Sequence, residues 1–325
     1  MSHESTPHMQ CMEVWGGSQI TARGVEMGGL DAWVYSKPFG QAKQGGDVYY
    51  ASSCATGRIS RLLLADVAGH GNSVAATAAD LRTLMRRFVN RLDQTEFVRL
   101  LNQQFTALSL GGAFATAVVF TFFAPSRRLT VCNAGHPRPF LYRAAQRQWN
   151  FLGYETTDDR PGPRNIPLGL FDVTEYEQFD LQLEYGDCLL SYTDALIESR
   201  DADGEMLGEA GLLRILRRLG DVAPQRLIET LLAGIAERYP DNLSEDDVTV
   251  LAVRANGQKP RYSFQEKLGA LGRFFSVWIQ SINPGAERPP FPDLNLANIG
   301  GAIVPALGRR WRAGGAMRRT PDQPA

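Results

Sequence analysis

Through most of the chain the apolar positions come in short runs of strand length. Ala32–Tyr35, Val48–Cys54 and Ile59–Ala65 read as strands, the last two separated by the turn signal Thr56-Gly57. After Gly71 the period lengthens. In NSVAATAADLRTLMRRFVNRL, residues Leu81, Leu84, Met85 and Phe88 fall on one helical face, with Asn72 or Ser73 available as the N-cap. A second helix is expected from about Thr95 to Leu108. Strand spacing returns in Phe114–Phe123, Leu129–Asn133 and Phe140–Arg143; their connections, Ala124-Pro125-Ser126 and Gly135-His136-Pro137, are short and turn-rich, so the three read as an antiparallel meander. Further strands are expected at Tyr176–Leu183 and Cys188–Tyr192, helices at about Glu209–Leu219 and Pro224–Arg238, and a closing alternating strand at Val248–Val253. This order, strands with two pairs of helices between them, predicts an α+β fold in which helices pack outside a mainly antiparallel β-sandwich.

Residues 1–30 are Gly-rich and weakly patterned, an N-terminal arm or edge element. From Ala255 the character changes again. Ser263–Ile282 places Phe264, Leu268, Leu271, Phe275, Trp278 and Ile282 on one face of a helix, and the chain ends in the basic stretch RRWRAGGAMRR. Such a stripe packs on its own protein, on a partner, or on an anionic membrane surface.

The formal net charge of −1 gives no case for nucleic-acid binding, but it is unevenly spread. Residues 255–325 hold ten Lys and Arg against four Asp and Glu, a surplus of six, which leaves residues 1–254 at −7. Cys11, Cys54, Cys132 and Cys188 lack the paired spacing of a zinc site or a disulfide scaffold, and a reducing cytoplasmic setting fits them. The polar N-terminus has no signal-peptide h-region, and no uncharged apolar stretch reaches the roughly 20 residues of a spanning helix.

The candidate chemistry lies in aspartates at the edges of the apolar runs: Asp47 in Gly46-Asp47, Asp66 in Ala65-Asp66, Asp194 in Thr193-Asp194, and the pair Asp246-Asp247. Aspartates placed where strands stop can converge at one end of a sheet, and hard carboxylate oxygens suit Mg²⁺ or Mn²⁺. Gly45 and Gly46 allow the backbone beside Asp47 to approach an ion, and the Gly-rich passage Val67-Ala68-Gly69-His70-Gly71 leads from Asp66 into a helix. His70 is either a proton donor to a leaving group or part of that helix cap. His136 and Asn133 read as turn residues, His136 also as a residue of the substrate rim. Asp201-Ala202-Asp203-Gly204-Glu205 has the opening alternation of a calcium loop but lacks the remaining ligand spacing.

The segments GGDVYY, ADVAGHG, NAGHP, PLG, GDCLLSYTDALIE and DDVTVLAV, in this order, resemble the SpoIIE-type branch of the PPM (protein phosphatase 2C-like) serine/threonine phosphatases. The resemblance spans roughly Ala32 to Arg254, so that 31–254 reads as the phosphatase domain and 255–325 as an extension. It implies a four-layer α-β-β-α sandwich of two mainly antiparallel sheets flanked by helices, two Mn²⁺ or Mg²⁺ ions, and hydrolysis of phosphoserine or phosphothreonine on a protein. It implies Asp47, Asp66, Asp194 and Asp246 as metal ligands and the Val67 carbonyl as a further one; Asp247, next to Asp246, is expected to support them, either directly or from behind the ligands. The substrates it implies are STAS-type anti-sigma-factor antagonists; homodimers are frequent among such relatives.

Two positions depart from the family pattern. Tyr50 stands where members commonly carry a second Asp, and Ala195 where a Gly commonly follows the Asp. They motivate a different reading, a catalytically weak member that binds a phosphorylated partner. A third reading rests on CNAGHPR, which has the spacing of a cysteine phosphatase with Cys132 as nucleophile; against it, Pro139 and the strand-like Phe140-Leu141-Tyr142 follow the loop where such a site needs a helix N-terminus.

Overall fold

A computed structural model describes Met9, Arg91 and residues 14–54, 57–69, 74–89, 93–108, 112–153 and 164–258. The apolar runs resolve into strands β1 (Val14–Gly17), β2 (Thr21–Met27), β3 (Leu30–Lys37), β4 (Asp47–Cys54), β5 (Ile59–Val67), β6 (Ala115–Phe123), β7 (Arg128–Ala134), β8 (Phe140–Arg143), β9 (Gln148–Phe151), β10 (Gln178–Gln182), β11 (Cys188–Tyr192) and β12 (Val248–Ala255). The helices are α1 (Ala75–Phe88), α2 (Gln94–Leu108), the single turn α3 (Ala195–Glu198), α4 (Gly208–Leu219) and α5 (Pro224–Ala236). One sheet runs β1-β4-β5-β6-β7-β10 and the other β2-β3-β12-β11-β8-β9, with every strand pair antiparallel.

Three apolar layers hold the two sheets and the helices together. Leu62 and Leu64 of β5, Val118 and Phe120 of β6, and Leu251 and Val253 of β12 meet between the sheets. Leu63, Ala65 and Val67 point the other way, onto Leu81 and Met85 of α1 and Phe97 and Leu101 of α2. Val250 and Ala252 pack with Leu212 and Leu216 of α4 and Leu231 of α5. The result is the expected four-layer α-β-β-α sandwich. Because β5 and β12 are buried on both faces, their residues alternate between two cores rather than between core and water, which is why β5 reads as a continuous apolar run.

Arg61 is the polar exception in the middle of β5. Its buried guanidinium donates to the carbonyls of Val89 and Arg91, each at 2.7 Å, and to Thr121 Oγ1 at 3.1 Å, while stacking over Phe97. It thereby fixes the end of α1 and the link to α2 against the sheet. Asp93 caps α2, with its Oδ1 accepting from the amides of Thr95 and Glu96.

Of the two readings offered for residues 1–30, the described part is an edge element: β1 and β2 form one edge of each sheet, and residue 31 lies inside β3. The expected meander breaks: β6 pairs with β7, but β8 belongs to the other sheet and pairs with β11. Gly135-His136-Pro137-Arg138-Pro139 crosses between the sheets instead of closing a hairpin. Two prolines in five residues remove the amide donors a continued ladder would need. The expected helix at Ser263–Ile282, the basic tail, His70 and the proposed caps Asn72 and Ser73 lie outside the described residues. No helix among the described residues is long and apolar enough to cross a membrane.

Candidate metal centre

Strand parity decides where the carboxylates point. On β5 the inter-sheet row Leu62, Leu64 continues two residues later at Asp66, and on β4 the row Ala51, Tyr49 ends at Asp47. Asp47 and Asp66 are register partners, and Asp66 is in turn the partner of Thr116 on β6. From the second sheet Thr193 and Thr249 reach the same end. Thr193 Oγ1 donates to Asp47 Oδ2 at 2.9 Å and accepts from the Thr249 amide at 2.9 Å, while Thr249 Oγ1 donates to Ser36 Oγ at 3.0 Å. The apolar core between the sheets is thus capped at one end by a polar layer drawn from both sheets.

Asp194 follows β11 and starts α3, so its carboxylate stands at a strand-to-helix corner. Asp246 stands two residues before β12 and its Oδ1 accepts from the Asp247 amide at 2.7 Å. The backbone closes on the site from the third side. A Cβ on Gly46 would stand 2.8 Å from the Val67 carbonyl oxygen and 3.0 Å from that of Gly69, so only glycine lets these segments approach.

Among the described residues the carboxylates at this end act on one another. Burial pushes the Asp66 pKa up to about 8, and the carboxylates of Asp194, Asp246 and Asp247 push it in the same direction. Asp47 is raised well above the ordinary range by burial and then by Asp66. Asp194 is raised by burial, and Glu198 by burial and by Asp194 and Asp246. Among the described residues, the charged neighbours acting on Asp47 and Asp66 are other carboxylates. Oxygen donors that repel one another at a half-buried site are the donor set a hard divalent cation neutralises. Among the described residues no group of three His, Cys, Asp or Glu side chains stands close enough together to hold a metal ion as placed. The carboxylates therefore fit a hard cation by chemistry and direction, as an open set.

A family model described as Stage II sporulation protein E (SpoIIE) matches residues 57–256, from β5 to the end of β12. The chain belongs to the SpoIIE family. It is similar to phosphoserine phosphatase RsbU of Bacillus subtilis (strain 168), at 22% identity over 194 residues, covering 59% of this chain and 55% of the relative. It therefore spans about half the length of that curated relative. Among solved structures it resembles the RsbU and RsbW domains of Rv1364c from Mycobacterium tuberculosis, with a TM-score of 0.55 at 21% identity over 86% of this chain and 73% of the other. It also resembles RsbX in complex with magnesium, with a TM-score of 0.52 at 16% identity over 72% of this chain and 99% of the other. At these identities the structural likenesses speak to the fold.

Within this SpoIIE-family fold the structure sorts the sequence candidates. Asp47, Asp66, Asp194, Asp246 and the Val67 backbone come together at one end of the sandwich. Asp247 holds a supporting position: it is buried, with Oδ1 accepting from the Phe39 amide and Oδ2 from the Gly46 amide, both at 2.6 Å. It braces the loop that leads into Asp47, and Gly45 leaves room for its carboxylate rather than for an ion. Glu198, one helical turn after Asp194, is a rim carboxylate that the sequence reading passed over. Asn133 fixes the inter-sheet crossing as expected of a turn residue, but His136 is buried and not on a rim.

Of the two departures from the family pattern, one lies away from the carboxylates and the other adjoins Asp194, whose carboxylate accepts from the Ala195 amide. Tyr50 is on the opposite face of β4 from Asp47, packed with Val48, Leu63 and Val119 toward the helices. Ala195 is buried in the helical backbone of α3 and needs no glycine there. Cys132 is buried against α2, its thiol pushed up to about 12 by burial, and the chain after it runs into a strand. A thiol held neutral without a helix N-terminus is no phosphatase nucleophile. Asp201 spends its Oδ1 on the amides of Asp203 and Glu205, a self-contained turn.

Proposed function

We propose that this chain is a Mn²⁺- or Mg²⁺-dependent protein serine/threonine phosphatase that hydrolyses phosphoserine or phosphothreonine. The observation that carries the reading is the convergence of Asp47 and Asp66 from one sheet with Asp194 and Asp246 from the other, where burial raises the pKa of Asp47, Asp66 and Asp194 and neighbouring carboxylates raise the first two further. Family membership and the likeness to a phosphoserine phosphatase support it.

Asp47, Asp66, Asp194, Asp246 and the Val67 carbonyl would hold the two ions. When bound, such ions supply an activated water and neutralise charge at the phosphoryl group. The chain's own residues do the rest. Thr193 fixes the rotamer of Asp47 across the sandwich, Asp247 holds the loop that presents Asp47, and Glu198 keeps the rim negative. A cleft beside Asp246, lined by Ala195, Glu198, Arg200, Tyr239 and Asn242, offers room for residues flanking the phosphorylated side chain.

The substrate that fits best is a phosphorylated STAS-type anti-sigma-factor antagonist in the cytoplasm. The likeness to RsbU, and to a protein that carries RsbU and RsbW domains, supports this assignment. In the same proposal, residues 31–254 supply the chemistry, and 263–319 together with any homodimer contact supply docking to a partner or a membrane surface.

The test is hydrolysis of p-nitrophenyl phosphate and a phosphothreonine peptide with Mn²⁺, with EDTA, and with Asp194→Asn. Turnover that needs Mn²⁺ and is lost in the variant is expected. Turnover that persists in EDTA would sink the proposal.

A further inference from the structure

The crossing segment between β7 and β8 contains a side chain that touches both halves of the proposed metal centre without belonging to it. His136 is 5% exposed. Its main chain is held at both polar groups by one neighbour: the His136 amide donates to Asn133 Oδ1 at 2.8 Å, and Asn133 Nδ2 donates to the His136 carbonyl at 2.9 Å. The ring position is therefore fixed by a clamp independent of the ring. Nδ1 lies 2.9 Å from Thr116 Oγ1, and Thr116 is the register partner of Asp66. On the other sheet, the backbone of Tyr192, two residues before Asp194, lies beside the ring without completing a hydrogen bond to Nε2. The Tyr192 hydroxyl returns to the same crossing segment by donating to the Arg138 carbonyl at 3.1 Å.

Resting on the phosphatase reading above, we infer that His136 is a positioning residue for the metal centre, an uncharged strut that sets the spacing between the strand bearing Asp66 and the strand leading to Asp194. The Thr116 hydroxyl and Nδ1 share one hydrogen bond, which leaves Nε2 as the free end of the ring. That atom is buried without a hydrogen bond of full geometry. Burial pushes the ring's pKa down to about 3, which keeps a second positive charge from competing with divalent ions. Groups that orient metal ligands without touching the metal typically change metal affinity about 10- to 100-fold when removed.

The test compares the full-length wild-type chain with His136→Leu, His136→Gln and Thr116→Val. Mn²⁺ affinity is read by calorimetric titration of the EDTA-treated protein, stability by thermal melting, and kcat and KM on a phosphothreonine peptide as Mn²⁺ is varied. His136→Leu should bind Mn²⁺ at least about ten-fold more weakly. Activity should return at saturating Mn²⁺ with the peptide KM unchanged. His136→Gln, whose amide keeps a neutral donor and acceptor, should recover most of the loss. Thr116→Val should fall the same way and carries the test alone if His136→Leu does not fold. Variants that melt lower yet bind Mn²⁺ as the wild type does would overturn the inference and leave the phosphatase reading standing. A wild-type chain that binds no Mn²⁺ would overturn that reading itself.

Discussion

Thr193 and Asp47 are joined across the sandwich. The Thr193 hydroxyl, on the strand-to-helix corner of one sheet, donates to the Asp47 carboxylate at the first residue of β4 in the other. The same hydroxyl accepts from the Thr249 amide, so one oxygen ties three segments at the polar end. Replacing it with Val removes a donor from a buried carboxylate and an acceptor from a buried amide. Thr193→Val should cost about 1–3 kcal/mol in urea denaturation of the metal-free protein, whereas Thr193→Ser should stay near wild type.

Without bound metal the acidic layer works against folding. Asp66 has a folded pKa of about 8, above its unfolded value near 4, so between these pH values the folded chain holds more protons than the unfolded one. Its contribution is therefore fully present below about pH 4 and is lost as pH rises through about 8. In EDTA, Asp66→Asn should raise Tm at pH 8 by about 2–4 °C or more and flatten that part of the pH profile. It should also abolish the rise in Tm that Mn²⁺ gives the wild type. An Asp66→Asn protein that melts below wild type in EDTA would count against the repulsion argument.

Arg61 anchors the helical layer to the strand that carries Asp66. Arg61→Ala strips the partner from two main-chain carbonyls and leaves a void over Phe97, at a cost of about 2–4 kcal/mol by chemical denaturation. Arg61→Lys should recover little, because one ammonium cannot serve three divergent acceptors.

Asp93 offers a control remote from the metal. Its pKa is lowered by hydrogen bonds from Thr95 and Glu96, although burial opposes this. Its contribution is present above the unfolded carboxylate pKa and fades as pH falls through the lower folded value. Asp93→Ala should cost about 1 kcal/mol at pH 7, a difference that shrinks under acid, and should leave Mn²⁺ affinity unchanged.

The shared end of the aspartates was legible because each lies at the edge of an apolar run, and on β5 parity carries the inward row Leu62, Leu64 into an inward Asp66. What the sequence does not resolve is which of two adjacent acids does which job. Asp246 and Asp247 look equivalent in the chain, and only the amides of Phe39 and Gly46 show that Asp247 braces a loop. The crossing at 135–139 was misread for a related reason: a short, proline-rich connection can close a hairpin or change sheets, and its destination is set by the partner strand β11, fifty residues on. Glu198 had a signal, its four-residue spacing from Asp194 on a helical turn, but a single turn of helix gives little periodicity to notice.

The inward rows on β4 and β5 impose a rule on length variation in relatives of this chain. One residue inserted between Leu64 and Asp66 would turn the carboxylate toward α1 and α2 and bring an apolar side chain to the metal end, while the rest of the sandwich stayed intact. Insertions near the site should therefore accumulate in the turns beyond the strands, and those within strands should come in pairs or as bulges. A relative with an odd-numbered shift there would be expected to keep the architecture and lose the chemistry.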